Sequence, residues 1–260
     1  MRADPEPGAR RAGNQSISRA SRLLRCFVDS PDGLTLTELA RRTGLHPSTA
    51  HRMMTSLVDG GLISRGVGDR YRPGIAFLAL GASIMQSSGL DAAQPFLETL
   101  TERTGETTSL AIKDVDCAVV LLETESSQPL IARQGAGSRL PLTDSAHGQV
   151  LLAFAGDPAA QIRSLPRPIV LRNEYADPDD LLAELTVVRQ RGYSMIGDHE
   201  HATLAVPIPS VGADSVTRSV GVTAPSRRLT GPTIDRAVSA ATEVAGLRRG
   251  IGWQTPPPRT

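Results

Sequence analysis

The chain has 260 residues, of which 40% are hydrophobic and 21% are charged, a composition typical of a water-soluble protein with room for two modest domains. Its most apolar stretch, GIAFLALGASIM from Gly74, is too short to span a bilayer, and the N-terminus lacks the apolar segment of a secretion signal. These features argue against an integral membrane protein and predict a cytoplasmic one.

Charge is distributed unevenly along the chain, although the formal net charge is only +1. Residues 1–72 hold 12 Arg and 7 acidic residues, a net +5, whereas residues 73–260 hold 16 Arg or Lys and 20 acidic residues, a net −4. A basic segment on an acidic body predicts that this segment meets a polyanion. Cys26 and Cys117 show no metal-ligand spacing, so we expect reduced core cysteines and no metal or cofactor.

The first predicted unit spans residues 16–73, after a tail over residues 1–15 that we expect to be disordered. The apolar face of its first helix is formed by Ile17, Ala20, Leu23, Leu24 and Phe27. A second, short helix runs from Leu36 to Thr43 and is broken by Gly44. Pro47 suits the start of a third helix, whose inward positions are Ala50, Met54 and Leu57.

Two short strands, LISR and RYRP, flank the glycine turn GVGD and predict a small β-wing after the third helix. The next segment, residues 74–90, is predicted to be a linker helix. It is apolar almost all round, so we expect it to be covered by another domain or a second subunit.

The remaining ordered part, residues 91–253, reads as a mixed α+β domain, and residues 254–260 as a second disordered tail. Periodicity predicts helices over 92–104, 146–154 and 179–191, and a last helix near the C-terminus. Strands are expected over 107–113, 117–123, 203–208 and 216–223. The predicted fold class is therefore α+β with an N-terminal winged helix.

A helix pair with a glycine turn, followed by a wing, is the layout of a winged helix-turn-helix DNA-binding domain. The outward face of the third helix offers groups suited to phosphates and base edges, namely Ser48, Thr49, His51, Arg52 and Thr55. The wing adds Arg65, Arg70 and Arg72, and Arg19 and Arg42 complete the predicted DNA-binding set. Arg and Thr also decorate ordinary solvated helices, but the helix pair, wing and local charge together favour DNA.

Two groups of segments in this chain resemble IclR-type bacterial transcription regulators. The first is SISRASRLL, LTELARRTGLHPSTAHRMMTSL and GDRYRPGIAFLALG; the second is ETTSLAIKD, GSRLPLTDSAHGQVLLA, RGYSMIGDHE and SVGVTAPSRRL. The resemblance covers residues 16–253 and implies a GAF-like effector-binding domain after the winged helix. It also implies a homodimer or dimer of dimers on pseudo-palindromic operator DNA, acting as a repressor more than an activator.

The resemblance further implies a small organic effector held by eight positions: Asp144, Ser145, Ala146, His147, Asp198, Thr203, Gly221 and Thr223. Several positions depart from the family pattern. Gln149 stands for a Lys, Thr203 for a Cys, and Gly221 and Thr223 for two Ser, while Ile196 falls on the acidic position beside Asp198. These departures predict a larger or less acidic ligand than glyoxylate-like acids.

From the residues alone, the strand SVTRSVGVT has one face of small polar residues, Thr217, Ser219, Gly221 and Thr223. Such a row is either a face exposed to solvent or the floor of a cavity. The family resemblance favours the cavity.

Three alternatives remain open from the sequence. Asp198, His199, Glu200 and His201 could hold a metal ion on a strand, where residues two apart share a face. Asp144, Ser145 and His147 are residue types used in acyl transfer, but no G-x-S-x-G, P-loop, HExxH or dinucleotide motif is present, which favours a protein that is not an enzyme. The third alternative is a DNA-binding regulator whose C-terminal domain only oligomerises.

Overall fold

The computed structural model describes residues 7–28, 30, 32–88, 90, 92–171, 174–209 and 216–247. Of the predicted disordered tails over residues 1–15 and 254–260, residues 1–6 and 254–260 lie outside these ranges. The chain divides into two compact units between Ser87 and Ser88. Among the described residues, a search for a helix long and apolar enough to cross a membrane finds none.

In its described residues, the first unit contains four α-helices and a two-stranded wing. Its elements are α1 (Pro7–Arg25), α2 (Leu36–Thr43), α3 (Pro47–Asp59), β1 (Ile63–Arg65), β2 (Tyr71–Pro73) and α4 (Ile75–Ser88). β1 and β2 pair antiparallel, with Arg65 opposite Tyr71, which confirms the predicted wing.

The first helix begins earlier than the sequence pattern suggested. α1 starts at Pro7, so the prediction of a disordered tail is wrong for residues 7–15. Proline suits the first turn of a helix, and the Ala and Arg residues that follow are strong helix formers. Ile17 is 68% exposed, so it is not part of the buried face on which it was placed.

Local signals in the sequence fix the geometry of the helix pair. The Thr35 backbone N–H donates to the Glu38 carboxylate at 2.8 Å, and the Glu38 backbone N–H donates to the Thr35 hydroxyl at 3.3 Å, a capping box at the start of α2. Gly44 ends that helix with a φ of 66°, a conformation that side chains with a Cβ disfavour. α3 then begins at Pro47 and buries Ala50, Met54 and Leu57, as predicted.

The second unit is built on a six-stranded antiparallel sheet with the order β5-β4-β3-β10-β9-β8. Its elements are α5 (Gln94–Thr104), β3 (Thr107–Lys113), β4 (Cys117–Thr124), β5 (Arg139–Pro141), α6 (Ala146–Ala153), α7 (Pro158–Ser164), β6 (Ile169–Leu171), β7 (Glu174–Ala176), α8 (Pro178–Arg191), β8 (Ser194–Gly197), β9 (His201–Ile208), β10 (Arg218–Pro225) and α9 (Gly231–Leu247). The sequence pattern missed α7 and the strands of three or four residues, because so few residues show no clear alternation.

Helices cover both faces of this sheet. α6 packs on one face with α7 and α8, over a core that includes Ala111, Ala118 and Ala205. α5 and α9 pack on the other face, against side chains such as Leu110 and Val220 that alternate with the first set. α6 therefore lies directly over the row of small polar residues on β10.

The position of α6 depends on the lack of a side chain at Gly148. A Cβ built there would lie 2.4 Å from the Pro141 carbonyl oxygen and 2.5 Å from the Leu142 Cα atom. Both atoms are backbone, so they cannot move aside cheaply. The glycine therefore allows α6 to lie close to the backbone of Pro141 and Leu142, which precede the helix. In this position the helix covers the sheet.

We predict that Gly148→Ala lowers the free energy of unfolding of the second unit by about 1–3 kcal/mol, because the added methyl forces the helix from the sheet. Urea unfolding followed by circular dichroism measures the change. Gly246→Ala in α9 is the matched control, since a Cβ there has no neighbour within 4 Å. The control is expected to stabilise the protein slightly, and an equal loss in both variants would contradict the proposed close approach.

Candidate functional site

The outward face of α3 is the first candidate site, and its polar groups are not equally available. The Ser48 hydroxyl lies 2.8 Å from Nδ1 of His46, and the Thr55 hydroxyl donates to the His51 carbonyl at 3.1 Å. Arg52 is exposed, and its guanidinium has no hydrogen-bond or ion-pair partner among the described residues. Arg52 is thus the side chain on this face best placed to reach a second molecule.

The three wing arginines have different surroundings. Arg70 donates to the carbonyl oxygens of Asp32 and Gly33 and lies 3.7 Å from the Glu38 carboxylate. These contacts tie β2 to the loop before α2, so Arg70 is held in an internal role that the prediction of a DNA contact did not anticipate.

The other wing arginines are exposed. Arg65 pairs with Asp69 at 2.8 Å in the turn between the strands, and Arg72 donates to the Asp32 carbonyl at 3.4 Å. Both heads remain at the surface, where phosphates could replace these weak partners.

The remaining residues of the predicted DNA-binding set lie around the α3 face. Thr49 and Arg19 are half-buried on α3 and α1, while His51 is exposed. The Arg42 guanidinium donates to the Ser30 hydroxyl at 2.9 Å and to the Cys26 carbonyl at 3.3 Å. Arg42 therefore helps to hold α2 against the end of α1.

The second candidate site is a cavity of about 400 Å³ in the second unit, at the N-terminal end of α6. It is lined by five of the eight predicted effector residues, namely Asp144, Ser145, Ala146, Asp198 and Thr203. Seven lining residues were not predicted as effector contacts: Gln134, Leu140, Pro141, Met195, Ile196, Gly197 and His201. Most lie in short strands or loops, where no periodic pattern in the sequence could have indicated them.

His147, Gly221 and Thr223 do not line this cavity and are buried, and the His147 ring extends from α6 onto the sheet. The His147 ring is completely buried, with Nε2 2.9 Å from the Ser109 hydroxyl and Nδ1 2.8 Å from the Ser219 hydroxyl. A Cβ at Gly221 would lie 2.5 Å from Nε2 of His147. The imidazole therefore occupies the space that a side chain at Gly221 would need.

The small polar residues on one face of β10 are buried, which excludes the interpretation that they form a solvent-exposed face. Ser219, Gly221 and Thr223 are all buried, so they are not a face exposed to solvent. Thr223 contacts Thr203 through their hydroxyls at 3.0 Å, and Thr203 accepts a hydrogen bond from the Gln134 amide at 3.0 Å. These groups connect the cavity wall to the buried row.

Two further positions have structural roles. The Ser145 hydroxyl donates to the Pro141 carbonyl at 2.6 Å and accepts from the Gly148 N–H at 3.0 Å, so Ser145 is the N-cap of α6. Gln149, at the position of the family lysine, is buried, donates to the Thr143 carbonyl at 3.1 Å and accepts from the Ser194 hydroxyl at 2.8 Å.

Asp198 is held by its own loop. Its carboxylate accepts hydrogen bonds from the backbone N–H groups of Glu200 at 2.7 Å and His201 at 3.0 Å. The bond from His201, then that from Glu200, lowers the pKa of Asp198 below its usual value and keeps the carboxylate charged.

The metal alternative gains no support from this loop. In the described part of the chain, the donor atoms that converge within 4.8 Å belong to Asp114, Asp116 and Cys117, not to residues 198–201. Arg139 already bonds both carboxylates, at 3.0 Å and 3.2 Å. The guanidinium therefore occupies the position that a cation would need.

Comparison with protein families gives two matches that together span most of the chain. Residues 16–66 match the IclR helix-turn-helix domain, and residues 84–246 match the bacterial transcriptional regulator IclR C-terminal domain. The chain is 31% identical to the transcriptional repressor IclR of Escherichia coli, over 72% of this chain and 70% of that protein.

Two solved structures are similar in fold. A crystal structure of an IclR-type transcriptional regulator from Silicibacter sp. TM1040 superposes with a TM-score of 0.79 and 25% identity, covering 94% of this chain and 98% of that one. An IclR homologue from Microbacterium hydrocarbonoxydans, in complex with 4-hydroxybenzoate, superposes with a TM-score of 0.67 and 25% identity, covering 89% and 98%.

We predict that His147 makes the stability of the second unit depend on pH. Burial lowers the pKa of His147 from 6.5 to about 4. Between these two pH values the ring is protonated in the unfolded chain but neutral in the folded protein. The free energy of unfolding is therefore highest above pH 6.5 and decreases as the pH falls from 6.5 toward 4. The free energy of unfolding should be about 2 kcal/mol lower at pH 5 than at pH 7.5.

Urea unfolding at the two pH values, for the wild type and for His147→Asn, measures this contribution. The variant should be less stable at pH 7.5 but should lose less stability on acidification. His201→Asn, which removes an exposed imidazole, should keep the wild-type dependence. Equal pH dependence in the wild type and His147→Asn would show that the buried ring is not the cause.

Proposed function

The chain belongs to the IclR family of bacterial DNA-binding transcriptional regulators, and we propose that it is a homodimeric repressor whose operator affinity is modulated by a small organic ligand. Members of this family regulate transcription rather than catalyse reactions. The observation that carries the proposal is the guanidinium of Arg52, which has no partner among the described residues and lies on the exposed side of a helix whose other side packs in the core of the first unit. Because its partner is chromosomal DNA, we place its action in the bacterial cytoplasm.

In the proposed complex, α3 lies in the major groove and Arg52 reaches the edge of a base, where guanidinium groups favour guanine. His51, Ser48, Thr49 and Thr55 contact neighbouring bases or phosphates. Arg65 and Arg72 contact the backbone from the wing. Arg70 acts indirectly, because it holds the wing in place.

Dimerisation is supported by the surface of α4. Ile75 is 76% exposed and Leu78 is 71% exposed, and Phe77, Leu80 and Ile84 are exposed on the same helix. Large apolar side chains exposed on several sides of one helix are costly in water and are typical of a protein–protein interface. A second copy that covers it would give a two-fold dimer, whose operator is a pseudo-palindrome. Two such dimers could associate into a tetramer.

Ligand modulation is supported by the cavity at α6 and by the Microbacterium homologue with bound 4-hydroxybenzoate. A volume of about 400 Å³ falls within the usual range for small-molecule sites. A ligand that binds one arrangement of the dimer more tightly than another would change its affinity for the operator. Repression is inferred because the E. coli relative is a transcriptional repressor.

The alternative is a DNA-binding regulator whose second unit only oligomerises. The burial of His147, Gly221 and Thr223, away from the cavity, favours it because fewer polar groups reach a ligand than the resemblance implied. Release of DNA on addition of a ligand would exclude this alternative.

We predict that Arg52→Ala abolishes most sequence preference and leaves the protein folded and dimeric. The operator is first selected from a random library of DNA duplexes, and affinities for operator and scrambled DNA are then measured by fluorescence anisotropy. Loss of one bidentate base contact should reduce the ratio of the two affinities by about tenfold or more. Arg25→Ala, an exposed arginine of α1, should keep the ratio, and an unchanged ratio in Arg52→Ala would rule out a base contact by Arg52.

We also predict that Leu78→Asp converts the dimer to a monomer, because a carboxylate cannot be buried in the apolar interface on α4 without a partner. Size-exclusion chromatography with light scattering measures the mass. Ser83→Asp adds the same charge at an exposed polar position of the same helix and should leave the dimer intact. A Leu78→Asp protein that remains dimeric would place the interface elsewhere.

A further inference from the structure

We infer that the second unit has a further ligand site, separate from the cavity at α6, that binds a small organic dianion such as a phosphate ester or a dicarboxylate. The site is a cavity of about 360 Å³ where α9 begins. The inference goes beyond the proposed function, because no residue of this wall lines the α6 cavity or belongs to the DNA-binding set.

The cavity lies on the face of the sheet that α5 and α9 cover. Its apolar wall includes the buried side chains of Val222 on β10, Leu229 and Ala237. Val222 follows Gly221, whose missing side chain would point at His147 of α6. Successive residues of a strand face opposite sides of the sheet, so this cavity and α6 lie on opposite sides. Its volume falls within the usual range for small-molecule sites.

Two guanidinium groups in the wall have no partner. Arg227, in the turn after β10, and Arg236, on α9, both line the cavity, and neither side chain forms a hydrogen bond or ion pair with a described residue. Both side chains are exposed, so a ligand can reach them from solvent. A ligand with two negative charges can pair with both groups, and pairs of this kind are stronger than hydrogen bonds between neutral groups.

The third arginine of the wall is already neutralised. Nη2 of Arg228 donates to the Glu106 carboxylate at 2.7 Å and to the Leu130 carbonyl at 2.8 Å, and its Nε lies 2.7 Å from the second carboxylate oxygen. Among the described residues of the wall, Glu106 is the only acidic one, so three arginines and one glutamate give the wall a net charge of +2. The ion pair also fixes the turn that carries Arg227.

Two acidic residues near these arginines lie outside the wall. Asp235 precedes Arg236 on α9 but does not line the cavity. Glu200 lines a neighbouring cavity that Arg227 also borders, and its carboxylate there lies 4.0 Å from His199. In the described part of the chain, neither carboxylate forms an ion pair with Arg227 or Arg236. Both arginines are therefore available to a ligand.

The neutral polar groups of the wall add hydrogen-bond donors. The Thr230 hydroxyl and the Gln128 side-chain amide line the cavity without a hydrogen-bond partner among the described residues, and both can donate. The hydroxyls of Thr104 and Thr233 are already used, since they donate to the carbonyls of Leu100 at 2.8 Å and Thr230 at 2.6 Å. The free groups of the wall therefore suit the oxygen atoms of a carboxylate or phosphate.

Charge and size together define the ligand class. The beginning of α9, a helix of 17 residues, adds a partial positive charge of about half a unit to that of the two free arginines. The buried apolar residues of the wall leave room for a short carbon chain rather than for an inorganic ion alone. A compact organic molecule with two negative charges on oxygen atoms matches both features.

Three probes that share one carbon chain test the requirement for charge. Succinate, succinamate and succinamide carry two, one and no negative charges at pH 7.5. Isothermal titration calorimetry with the full-length protein should show that succinate binds about tenfold more tightly than succinamate and that succinamide binds more weakly than both. Succinamide that binds as tightly as succinate would overturn the inference.

Glycerol 3-phosphate tests the second source of the same chemistry. Binding of either succinate or glycerol 3-phosphate supports the site, and the tighter of the two identifies the preferred oxyanion. If neither binds, the inference is wrong.

Variants of the wall locate the bound dianion. Arg227→Gln and Arg236→Gln should each weaken binding of the tighter dianion by about tenfold, and because both side chains are exposed, circular dichroism should show an unchanged fold. Arg189→Gln removes the same charge from an exposed position of α8, on the other face of the sheet, and should keep the wild-type affinity. Unchanged affinity in either cavity variant, or an equal loss in Arg189→Gln, would overturn the assignment of the site.

Discussion

The second unit depends on one close contact, between α6 and the stretch of backbone that precedes this helix. Gly148 permits it, since its missing side chain leaves room for the backbone of Pro141 and Leu142. The approach places His147 over the sheet, where both ring nitrogens contact serine hydroxyls of β3 and β10. The cavity lies at the N-terminal end of the same helix, where Ser145 is the N-cap.

The buried imidazole also explains why the residues expected to hold a ligand are divided into two groups. Asp144, Ser145, Ala146, Asp198 and Thr203 remain at the cavity wall, whereas His147 and Gly221 complement each other inside the core. A neutral histidine with both nitrogens bonded satisfies polar groups that would otherwise be buried without partners.

The arginines of the first unit show a similar division of roles. Arg42 and Arg70 donate to backbone carbonyls, so that Arg42 holds α2 against the end of α1 and Arg70 holds the wing against the loop before α2. Arg52 and Arg65 project to solvent, where their charge can meet phosphates or bases. A count of positive charges in the sequence cannot distinguish these roles, because both kinds of arginine raise the local charge equally. Only the distances to carbonyl oxygens separate them.

By itself, the sequence determined the winged helix, the order of the main strands and helices, and the family. The winged helix could be predicted because its signals are local, each depending on only a few neighbouring residues. These signals are the periodicity of the helix pair, Gly44, Pro47 and the apolar spacing of α3. The short strands β5 to β8 and the cavity wall were decided by tertiary structure. Gln134 and Thr203 are 69 residues apart and His147 and Ser219 are 72 apart, and such distant residues meet only when the sheet pairs and α6 packs on it.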